Sequence, residues 1–399
     1  LMDVDGRYRG IDQEVHQADG FVYYSDLSLW DTYRTFHPLV GLLWPKDQQS
    51  FLDSLAAMAR DWGSLPKWPL AIGEGGSMIG SSADVVLGDA HLAGFDVHLD
   101  TVWPIIEQTA FGPGPGGRGG RDSGVERYIA LGYCPADEIG GSVSKTLEYS
   151  IEDACDAVLA TAAGDADMAA VLAARASSWK HLYDPKEALL APRNADGTVP
   201  PYKATYMSKH YTEGNAWQYT FMVPHDPTGL VLLLGDRFLE RLTGLLEGVR
   251  ADFQLIVPTG YYWHGNEPGL LTTWLYGFAG RADLTRWWTT WAADAEYNTT
   301  PGGLAGNDDG GSLSAWYVFA AAGLYPLSCT DSFALSAPLF DRVVWHLAGG
   351  DLDIRREAQD ATATHAGQPL VGPTLSGVSL RAGGVLTLPA APAGDDPPE

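Results

Sequence analysis

The sequence has few cysteines and no long hydrophobic run. Its three cysteines, Cys134, Cys155 and Cys329, lack the spacing of a metal-binding signature, and their odd number leaves at least one free thiol. One disulfide fits this count, but the sequence does not assign its pairing. No apolar run approaches the roughly 18 residues of a transmembrane helix, and no signal peptide is recognisable. The sequence therefore predicts no membrane span.

Positive charge is also scarce. The chain has 25 Lys and Arg residues against 50 Asp and Glu residues, a net charge of −25. Nucleic-acid binding depends on Lys and Arg contacts to phosphate, so this balance argues against nucleic acid and against anionic membrane surfaces. Charged residues make up 19% of the chain and hydrophobic residues 45%, which excludes a disordered protein. We therefore expect a globular protein with a neutral or cationic partner.

Few segments before residue 325 show the alternation of a β-strand, whereas helical periodicity is frequent. Within residues 48–62, Phe51, Leu55, Met58 and Trp62 recur at helical spacing. Similar patterns predict helices over 142–158, 168–179, 229–249, 269–279, 283–297 and 312–322. A succession of loops and helices is typical of a barrel of helical hairpins whose function lies in the loops at one rim.

Other segments depart from the helical pattern. The glycine-rich residues 112–124 predict an exposed, flexible loop inside one domain. Residues 331–350 and 373–392 alternate apolar and polar side chains, which predicts antiparallel strands, and the last residues, 393–399, are predicted to be disordered. The sequence thus predicts a helical domain over 1–330 and a β-rich appendage over 331–399.

Three loops combine acids with Gly, Asn, Pro, Trp and Tyr. They are YTEGNAWQYTFMVPHD (211–226), WHGNEP (263–268) and GLAGNDDGGSLSAWYVF (303–319), and each is followed by an apolar segment of helical period. Hydrolysis of a glycosidic bond requires two carboxyl groups, one that protonates the leaving oxygen and one that activates water or attacks directly. Acids beside aromatic rings on loops therefore favour a glycoside hydrolase.

Glu213 fits the proton donor, because Trp217 and Tyr219 beside it would exclude water and raise the pKa of a carboxyl group. Asp308 and Asp309 fit the base, because they precede a predicted helix whose dipole favours the ionised form. The alternative for this pair is a purely structural helix N-cap.

Glu267, Asn266 and Gln218 could offer oxygen ligands to a hard cation such as calcium, although Glu267 or Asn266 could instead cap a helix. His264 lies in the same HGNEP segment, and we predict that it binds the substrate. His225 and Asp226 precede Pro227 and predict a cap for the helix over 229–249.

The other candidates lie near the start of the chain. Trp30, Asp31 and Arg34 combine an aromatic face with an acid and a base one helical turn apart, an arrangement that can hold sugar hydroxyls or form a structural ion pair. Asp84 lies at a loop-to-helix junction, where a sugar contact competes with an N-cap.

Together these segments resemble glycoside hydrolase family 92, the calcium-dependent exo-acting α-mannosidases. The residues that carry the resemblance run in family order across nearly the whole chain: RGIDQEVH (9–16), SLWDTYRTFHPL (28–39), SSADVVLGDA (81–90), GYCPAD (132–137), SVSKTLEYSIEDACDA (142–157), YTEGNAWQYTFMVPHDPTGL (211–230), HGNEP (264–268) and GNDDGGSLSAWYVFAAAGLYP (306–326).

The resemblance implies a mainly α fold, an (α/α)6 barrel, that hydrolyses terminal α-linked mannose with inversion. It implies that Glu213 is the general acid and that Asp308 or Asp309 is the base, about 6.5–9.5 Å away. It further implies that Asp31 and Asp84 hold mannose hydroxyls, and that Glu267 and Gln218 lie near the calcium that engages O2 and O3.

The family also implies a mannose-bearing oligosaccharide or glycoprotein glycan as substrate and a secreted, periplasmic or cell-surface location. Family members carry an N-terminal β-sandwich, which we expect to be missing from this chain. Residues 269–271, GLL, depart from a more polar family pattern near the leaving group. Two alternatives stay open: an inverting (α/α)6 hydrolase acting on glucosides, and a mannose-binding or inactive homologue.

Overall fold

The computed structural model describes residues 2–121, 123–251 and 260–398. The chain divides into two compact units. The first, here called the N-unit, comprises Leu1–Tyr33 and Trp44–Ala216. The second, the C-unit, comprises Arg34–Leu43 and Trp217–Glu399. The predicted sequence-domain boundary at residue 330 stays a prediction.

Helices form most of the N-unit. The helix predicted over 48–62 is confirmed, because Pro45 occupies its first turn, Leu52, Leu55 and Met58 face the core, and Gly63 ends it at φ 82°. The helices are α1 (Leu29–Thr32), α3 (Pro45–Trp62), α4 (Ser82–Leu92), α5 (Leu99–Thr109), α6 (Val125–Leu131), α7 (Ser142–Ala162) and α8 (Ala166–Arg175), with 3-10 helices at Pro115–Gly117 and Ser178–Leu182.

The N-unit strands form three short antiparallel hairpins. They are β1 (Arg7–Arg9) with β2 (Val15–Gln17), β3 (Pro69–Leu70) with β4 (Gly73–Glu74), and β5 (Tyr183–Asp184) with β6 (Leu189–Leu190).

The glycine-rich segment, described except for residue 122, is only partly the exposed loop that was predicted: Gly116, Gly117 and Arg118 are exposed, whereas Gly120 and Arg121 are buried. The Ser64 hydroxyl donates to the Arg118 carbonyl at 2.8 Å, and the Arg121 side chain is fully buried. Gly119 has φ 55°, and a Cβ there would lie 2.2 Å from the Leu65 carbonyl oxygen. The glycines permit close backbone approach here rather than flexibility.

The C-unit helices differ from two predictions. The helix predicted over 229–249 is two helices, because Gly235 interrupts it at φ 54°, and the helix predicted over 269–279 is largely of 3-10 type. Asp226 caps the first of the two as predicted, accepting from the Gly229 N–H at 2.8 Å. The helices are α2 (Phe36–Leu43), α9 (Ala216–Thr220, beginning at the last N-unit residue), α10 (Pro227–Leu234), α11 (Arg237–Ala251), α12 (Ala282–Glu296), α13 (Ser312–Ala322) and α14 (Gly377–Arg381), with 3-10 helices at Glu267–Gly269 and Thr272–Ala279.

Two sheets follow α13. The three-stranded sheet has the order β13-β8-β7 and the five-stranded sheet the order β12-β11-β14-β10-β9. Pairing is antiparallel except between β10 and β14, which run parallel, and α14 interrupts the strand pattern predicted over 373–392. The strands are β7 (Leu324–Leu327), β8 (Ser332–Leu335), β9 (Arg342–Leu347), β10 (Gly350–Glu357), β11 (Thr364–His365), β12 (Gln368–Pro369), β13 (Thr374–Ser376) and β14 (Gly384–Pro389).

The chain end packs on the C-unit helices, which corrects the predicted disorder for its described residues. The Trp287 indole N–H donates to the Gly394 carbonyl at 3.2 Å, and the Arg250 guanidinium donates to the Asp395 carbonyl at 2.9 Å. Arg281 donates to the Pro398 carbonyl at 3.2 Å. Side-chain donors on α11, on α12 and immediately before α12 therefore bind carbonyl groups of the tail.

The structure also gives the state of the three cysteines and the length and polarity of the helices. Cys134 is a buried free thiol, whereas Cys155 and Cys329 are disulfide-bonded. Across the described residues, every helix is either too short or too polar to cross a bilayer.

Candidate active site

Glu213 lies on the loop that ends the N-unit, in an unusual backbone conformation. Its φ is 53°, in the left-handed region, and its side chain is exposed. A non-glycine residue in this region costs about 1–3 kcal/mol and persists only where its surroundings enforce the conformation. Strain of this kind clusters at functional sites, and among the described acids it is shared by Glu213, Asp26, Asp309 and Asp331.

Trp217, one of the aromatic residues predicted to exclude water from Glu213, contacts side chains of the C-unit. Trp217 is half-buried in the C-unit, with the Arg241 guanidinium 5.6 Å from its ring centroid and the Tyr261 ring 6.0 Å away. Gly244 of α11 lies under the indole, where a Cβ would come within 3.0 Å of the ring. The ring of Trp217 therefore packs on α11, and its predicted contact with substrate stays a prediction.

Asp308 and Asp309 precede α13 and differ in their surroundings. An Asp308 carboxylate oxygen accepts from the backbone N–H of Ser314, in the first turn of α13, at 2.9 Å. Asp308 thus caps the helix, as the structural alternative predicted. Asp309 has φ 49°, and burial, with the charge of Asp308, raises its pKa. The two neighbours therefore have separate environments, and Asp309 carries the strained backbone.

The candidate cation ligands are buried in the C-unit. Glu267 is 2% exposed, and one of its carboxylate oxygens lies within 4.8 Å of a carboxylate oxygen of Asp309. Gln218 donates its amide N–H to the Tyr261 carbonyl at 2.7 Å. Asn266 occupies the cap position of the 3-10 helix at Glu267–Gly269 without a capping side-chain hydrogen bond, so that alternative does not describe Asn266. Carboxylate and amide oxygens suit a hard cation, and the grouping of Gln218 and Asn266 with Glu267 around one ion stays a prediction.

His264 lies inside the C-unit, which corrects its predicted role against the substrate. It is 0% exposed, and burial lowers its pKa to about 3, so the imidazole is neutral. The Tyr297 hydroxyl donates to the Leu313 carbonyl at 3.0 Å and therefore accepts from His264 Nε2–H at 2.7 Å. Nδ1 then accepts from the Tyr262 hydroxyl. Both ring nitrogens are occupied by protein partners.

This hydrogen-bonded chain connects the HGNEP segment to α13. The Trp316 ring stacks parallel to Tyr297 at 5.7 Å, and its indole N–H donates to the Leu270 carbonyl at 2.8 Å. The aromatic rings of His264, Tyr297 and Trp316 thus link the HGNEP segment to α13. His264 supports the site rather than lining it.

Trp30 and Asp31 lie on α1, and both are buried. The Trp30 indole is 1% exposed, and its N–H donates to a Glu148 carboxylate oxygen at 2.8 Å. This burial leaves the indole ring almost no exposed face, and its predicted contact with a sugar stays a prediction. Asp31 is 2% exposed.

Arg34 lies beyond the end of α1, in the turn before α2, so it is not one turn along the same helix as Asp31. It is 4% exposed in the C-unit. Burial raises the pKa of Tyr325, and the charges of Arg34 and Glu267 act on it in opposite directions. Arg34 and the candidate cation ligand therefore share Tyr325 as a neighbour.

Asp84 is fully buried on α4, three residues after the cap residue Ser81, so the N-cap alternative is wrong. Burial raises its pKa, the charge of Glu152 adds to the shift, and Arg121 opposes it. Burial likewise raises the pKa of Glu152 to about 8. Asp84 thus belongs to a buried charged cluster.

Sequence reasoning missed the remaining members of this buried cluster. The Arg121 guanidinium lies 2.9 Å from Glu152, 2.7 Å from Asp153 and 3.0 Å from Asp156, and all these side chains are 0% exposed. Arg175 approaches Asp153 to 2.6 Å. The available signal was the spacing of Glu148, Glu152 and Asp156 at four-residue steps, which places acids on one side of a helix whose other sides are apolar.

Comparisons with known proteins agree with the family resemblance. Residues 1–390 match the glycosyl hydrolase family 92 catalytic domain. The chain is similar to a family GH92 α-mannosidase from Bacteroides thetaiotaomicron in complex with mannoimidazole, with a TM-score of 0.87 and 29% identity, over 98% of this chain and 54% of that chain. A family GH92 inverting mannosidase from the same species gives a TM-score of 0.86 and 28% identity, over 97% and 57%.

A curated relative, an uncharacterized secreted glycosidase from Arthroderma benhamiae, is 28% identical over 75% of this chain and 42% of its own length. The chain thus spans about half the length of these relatives. The structural neighbours are (α/α)6-barrel enzymes, which confirms the predicted fold class, mainly α with a small C-terminal β segment.

Proposed function

The chain belongs to glycosyl hydrolase family 92, and on that premise we propose that it is an exo-acting, inverting α-mannosidase that removes terminal mannose from oligosaccharide or glycoprotein glycans, including N-glycans. One observation carries the assignment of roles. Glu213 and Asp309, the two acids expected to perform the chemistry, both have left-handed backbone conformations that cost energy to maintain.

In this mechanism Glu213 donates its proton to the glycosidic oxygen as the bond from that oxygen to C1 breaks. Asp309 accepts a proton from the water that attacks C1 from the opposite face, so the anomeric configuration inverts. The exposed position of Glu213 allows the leaving group to approach. Asp31 and Asp84 stay the proposed partners of mannose hydroxyls, and the acid-to-base separation stays a prediction.

Asp309, rather than Asp308, is the proposed base, because Asp308 already accepts the Ser314 N–H. We expect Asp309→Asn to lower kcat by about 100-fold or more. Asp308→Asn is the matched control: the amide oxygen of Asn can still accept the Ser314 N–H, so stability should change by less than about 1 kcal/mol and kcat should fall much less than in Asp309→Asn. Steady-state kinetics and chemical unfolding measure the two effects. The opposite ranking of the kcat values would assign the base to Asp308.

Calcium is the proposed cofactor, held by Glu267 with Gln218 and Asn266. The fit rests on buried carboxylate and amide oxygens in the C-unit, with a Glu267 oxygen close to one of Asp309. A bound calcium ion would polarise the mannose O2 and O3 hydroxyls and favour a distorted ring. Glu267, Gln218 and Asn266 would hold the ion.

Removal of the metal gives a direct test. Chelator treatment should abolish hydrolysis, and added calcium should restore it. Calcium should also raise the thermal unfolding midpoint of the wild-type protein, because a ligand that binds only the folded state stabilises it. Glu267→Gln should lose that shift, whereas Glu240→Gln, on the exposed side of α11, should retain it. Activity that survives verified metal removal would rule out calcium.

The substrate assignment is tested with a panel of aryl α-mannosides and α-glucosides. Hydrolysis of mannosides alone, with release of β-mannose, supports the proposal. Turnover of glucosides alone, or calorimetric mannose binding without product, would support one of the alternative functions.

A secreted, periplasmic or cell-surface location completes the proposal. It is supported by the description of the Arthroderma benhamiae relative as secreted. The disulfide-bonded state of Cys155 and Cys329 is consistent with an oxidising compartment.

A further inference from the structure

Helix α7 begins without a side-chain cap, and the segment leading to Glu213 satisfies its first backbone donors. Gly141, at the cap position, donates its N–H to the Lys209 carbonyl at 2.7 Å. The Val143 N–H donates to the His210 carbonyl at 3.0 Å. The first N–H groups of a helix have no partners within the helix, so these carbonyls replace a cap. Residues 209 and 210 are thereby docked on the start of α7.

Ser144 extends this docking to the residue next to Glu213. Its side chain is 0% exposed, and its hydroxyl oxygen accepts from the backbone N–H of Thr212 at 2.7 Å. Thr212 immediately precedes Glu213, whose φ is 53°. The hydroxyl of Ser144 thus fixes the peptide group between Tyr211 and Thr212, one residue before the strained backbone of Glu213.

A second side chain of α7 reinforces the same loop. The Ser142 hydroxyl lies 3.3 Å from His210 Nδ1. Burial, with the charge of Lys209, lowers the pKa of His210, so the neutral ring can accept from Ser142. The loop therefore contacts three successive residues of α7, Ser142, Val143 and Ser144, and Ser144 contacts the residue next to Glu213.

We propose that Ser144 is a positioning residue for proton donation by Glu213, a role that rests on the proposed function of Glu213 as general acid. Proton transfer requires the carboxyl group to come within hydrogen-bonding distance of the leaving oxygen. A displacement of about 1 Å far from the reacting atoms can lower the rate by about 100-fold. Without the Ser144 hydroxyl, the Thr212 N–H loses its acceptor, and the strained turn at Glu213 is free to relax.

The test uses leaving groups of different basicity, because a good leaving group departs without protonation. We expect Ser144→Ala to lower kcat about 10- to 100-fold on an α-linked mannobiose, which needs the proton. On 2,4-dinitrophenyl α-mannoside kcat should fall less than about threefold, because the phenolate needs no general acid. KM should change little on either substrate, because the mannose-binding residues are intact.

Ser150→Ala is the matched control. Ser150 is equally buried on α7, and its hydroxyl donates within the same helix, to the Thr146 carbonyl at 2.7 Å. It should affect the two substrates equally. Equal losses on both substrates for Ser144→Ala would overturn the positioning role and assign Ser144 a purely structural one.

A second pair of variants covers the case in which Ser144→Ala does not fold. Ser144→Thr keeps the hydroxyl, whereas Ser144→Val has nearly the same shape without it. A selective defect on mannobiose in the Val variant alone supports the proposal, and identical behaviour overturns it. Glu213→Gln distinguishes a failure of the positioning role of Ser144 from a failure of the acid role of Glu213. If Glu213→Gln shows the leaving-group dependence and Ser144→Ala does not, only the positioning role fails; if neither shows it, the assignment of the acid fails.

Discussion

Glu213→Gln should lower kcat about 100- to 10,000-fold on an unactivated mannoside while leaving mannose binding intact, because the amide retains the shape of the side chain but has no acidic proton to donate. The loss should shrink on 2,4-dinitrophenyl α-mannoside, whose leaving group departs unprotonated. The measurements are kcat on both substrates and calorimetric binding of mannose. The expectation rests on the exposed, left-handed Glu213, which its loop holds at the end of the N-unit.

Glu126→Gln is the control for this experiment, because Glu126 is an exposed glutamate in the first turn of α6. It should leave both rates near the wild-type values. Near-normal hydrolysis of mannobiose by Glu213→Gln would refute the assignment of the acid. The other exposed acids of the N-unit would then become the candidates.

Arg121→Met should destabilise the protein by about 3–5 kcal/mol, the usual result of removing one partner from a buried ion pair. Arg121 is fully buried, and its guanidinium approaches Glu152, Asp153 and Asp156 to 3.0 Å or less. Methionine fills much of the same space but leaves the acids without this countercharge. Denaturant unfolding followed by tryptophan fluorescence measures the effect.

The exposed pair of Arg127 and Glu138 gives the matched control. Its atoms lie 2.7 Å apart, but about two-fifths of each side chain is exposed, so Arg127→Met should cost about 1 kcal/mol or less. Comparable losses for the two arginine variants would show that the buried cluster is not held by charge.

The deficit of Arg121→Met should also grow with pH. Burial raises the pKa of Glu152 to about 8 from an ordinary value of 4.5, and it raises the pKa of Asp84. The folded state thus keeps protons that the unfolded chain releases, so this contribution to stability is lost as the pH rises toward 8. Arg121 opposes both shifts, and its removal raises both pKa values further. The gap from wild type should therefore stay nearly constant between about pH 5 and pH 7, where both folded proteins keep these protons, and should widen above about pH 8, where only the wild-type acids ionise. A gap that does not change above about pH 8 would show that Arg121 acts through packing alone.

Local sequence patterns predicted the regular elements well where one periodicity dominates. The helix over 312–322 begins and ends at the predicted residues, and the helix over 48–62 differs by three residues at its start. The prediction failed over 229–249, where Gly235 separates two apolar segments of matching periodicity. Periodicity measures the burial of side chains and does not register a backbone turn between two helices of similar pattern.

Predictions of flexibility and disorder from composition failed where tertiary contacts decide the conformation. The glycines before Arg121 indicated flexibility, yet they allow the backbone to pack against α3 and its following residues. The chain end indicated disorder, yet Arg250 and Trp287 hold it by hydrogen bonds to its carbonyls. Such donors lie more than a hundred residues away in sequence, so no local pattern records them.

The sequence by itself determined the family, the helical class and the acids that merit a chemical role, because each depends on residue types at spacings that can be read along one chain. Only the tertiary structure decided which of them are exposed, strained or buried. It placed His264 and Trp30 in the interior, assigned Asp308 to a helix cap, and gathered acids around Arg121. The physical reason is that burial and hydrogen bonding arise from residues far apart in the chain, and these set both the pKa of a carboxyl group and its freedom to react.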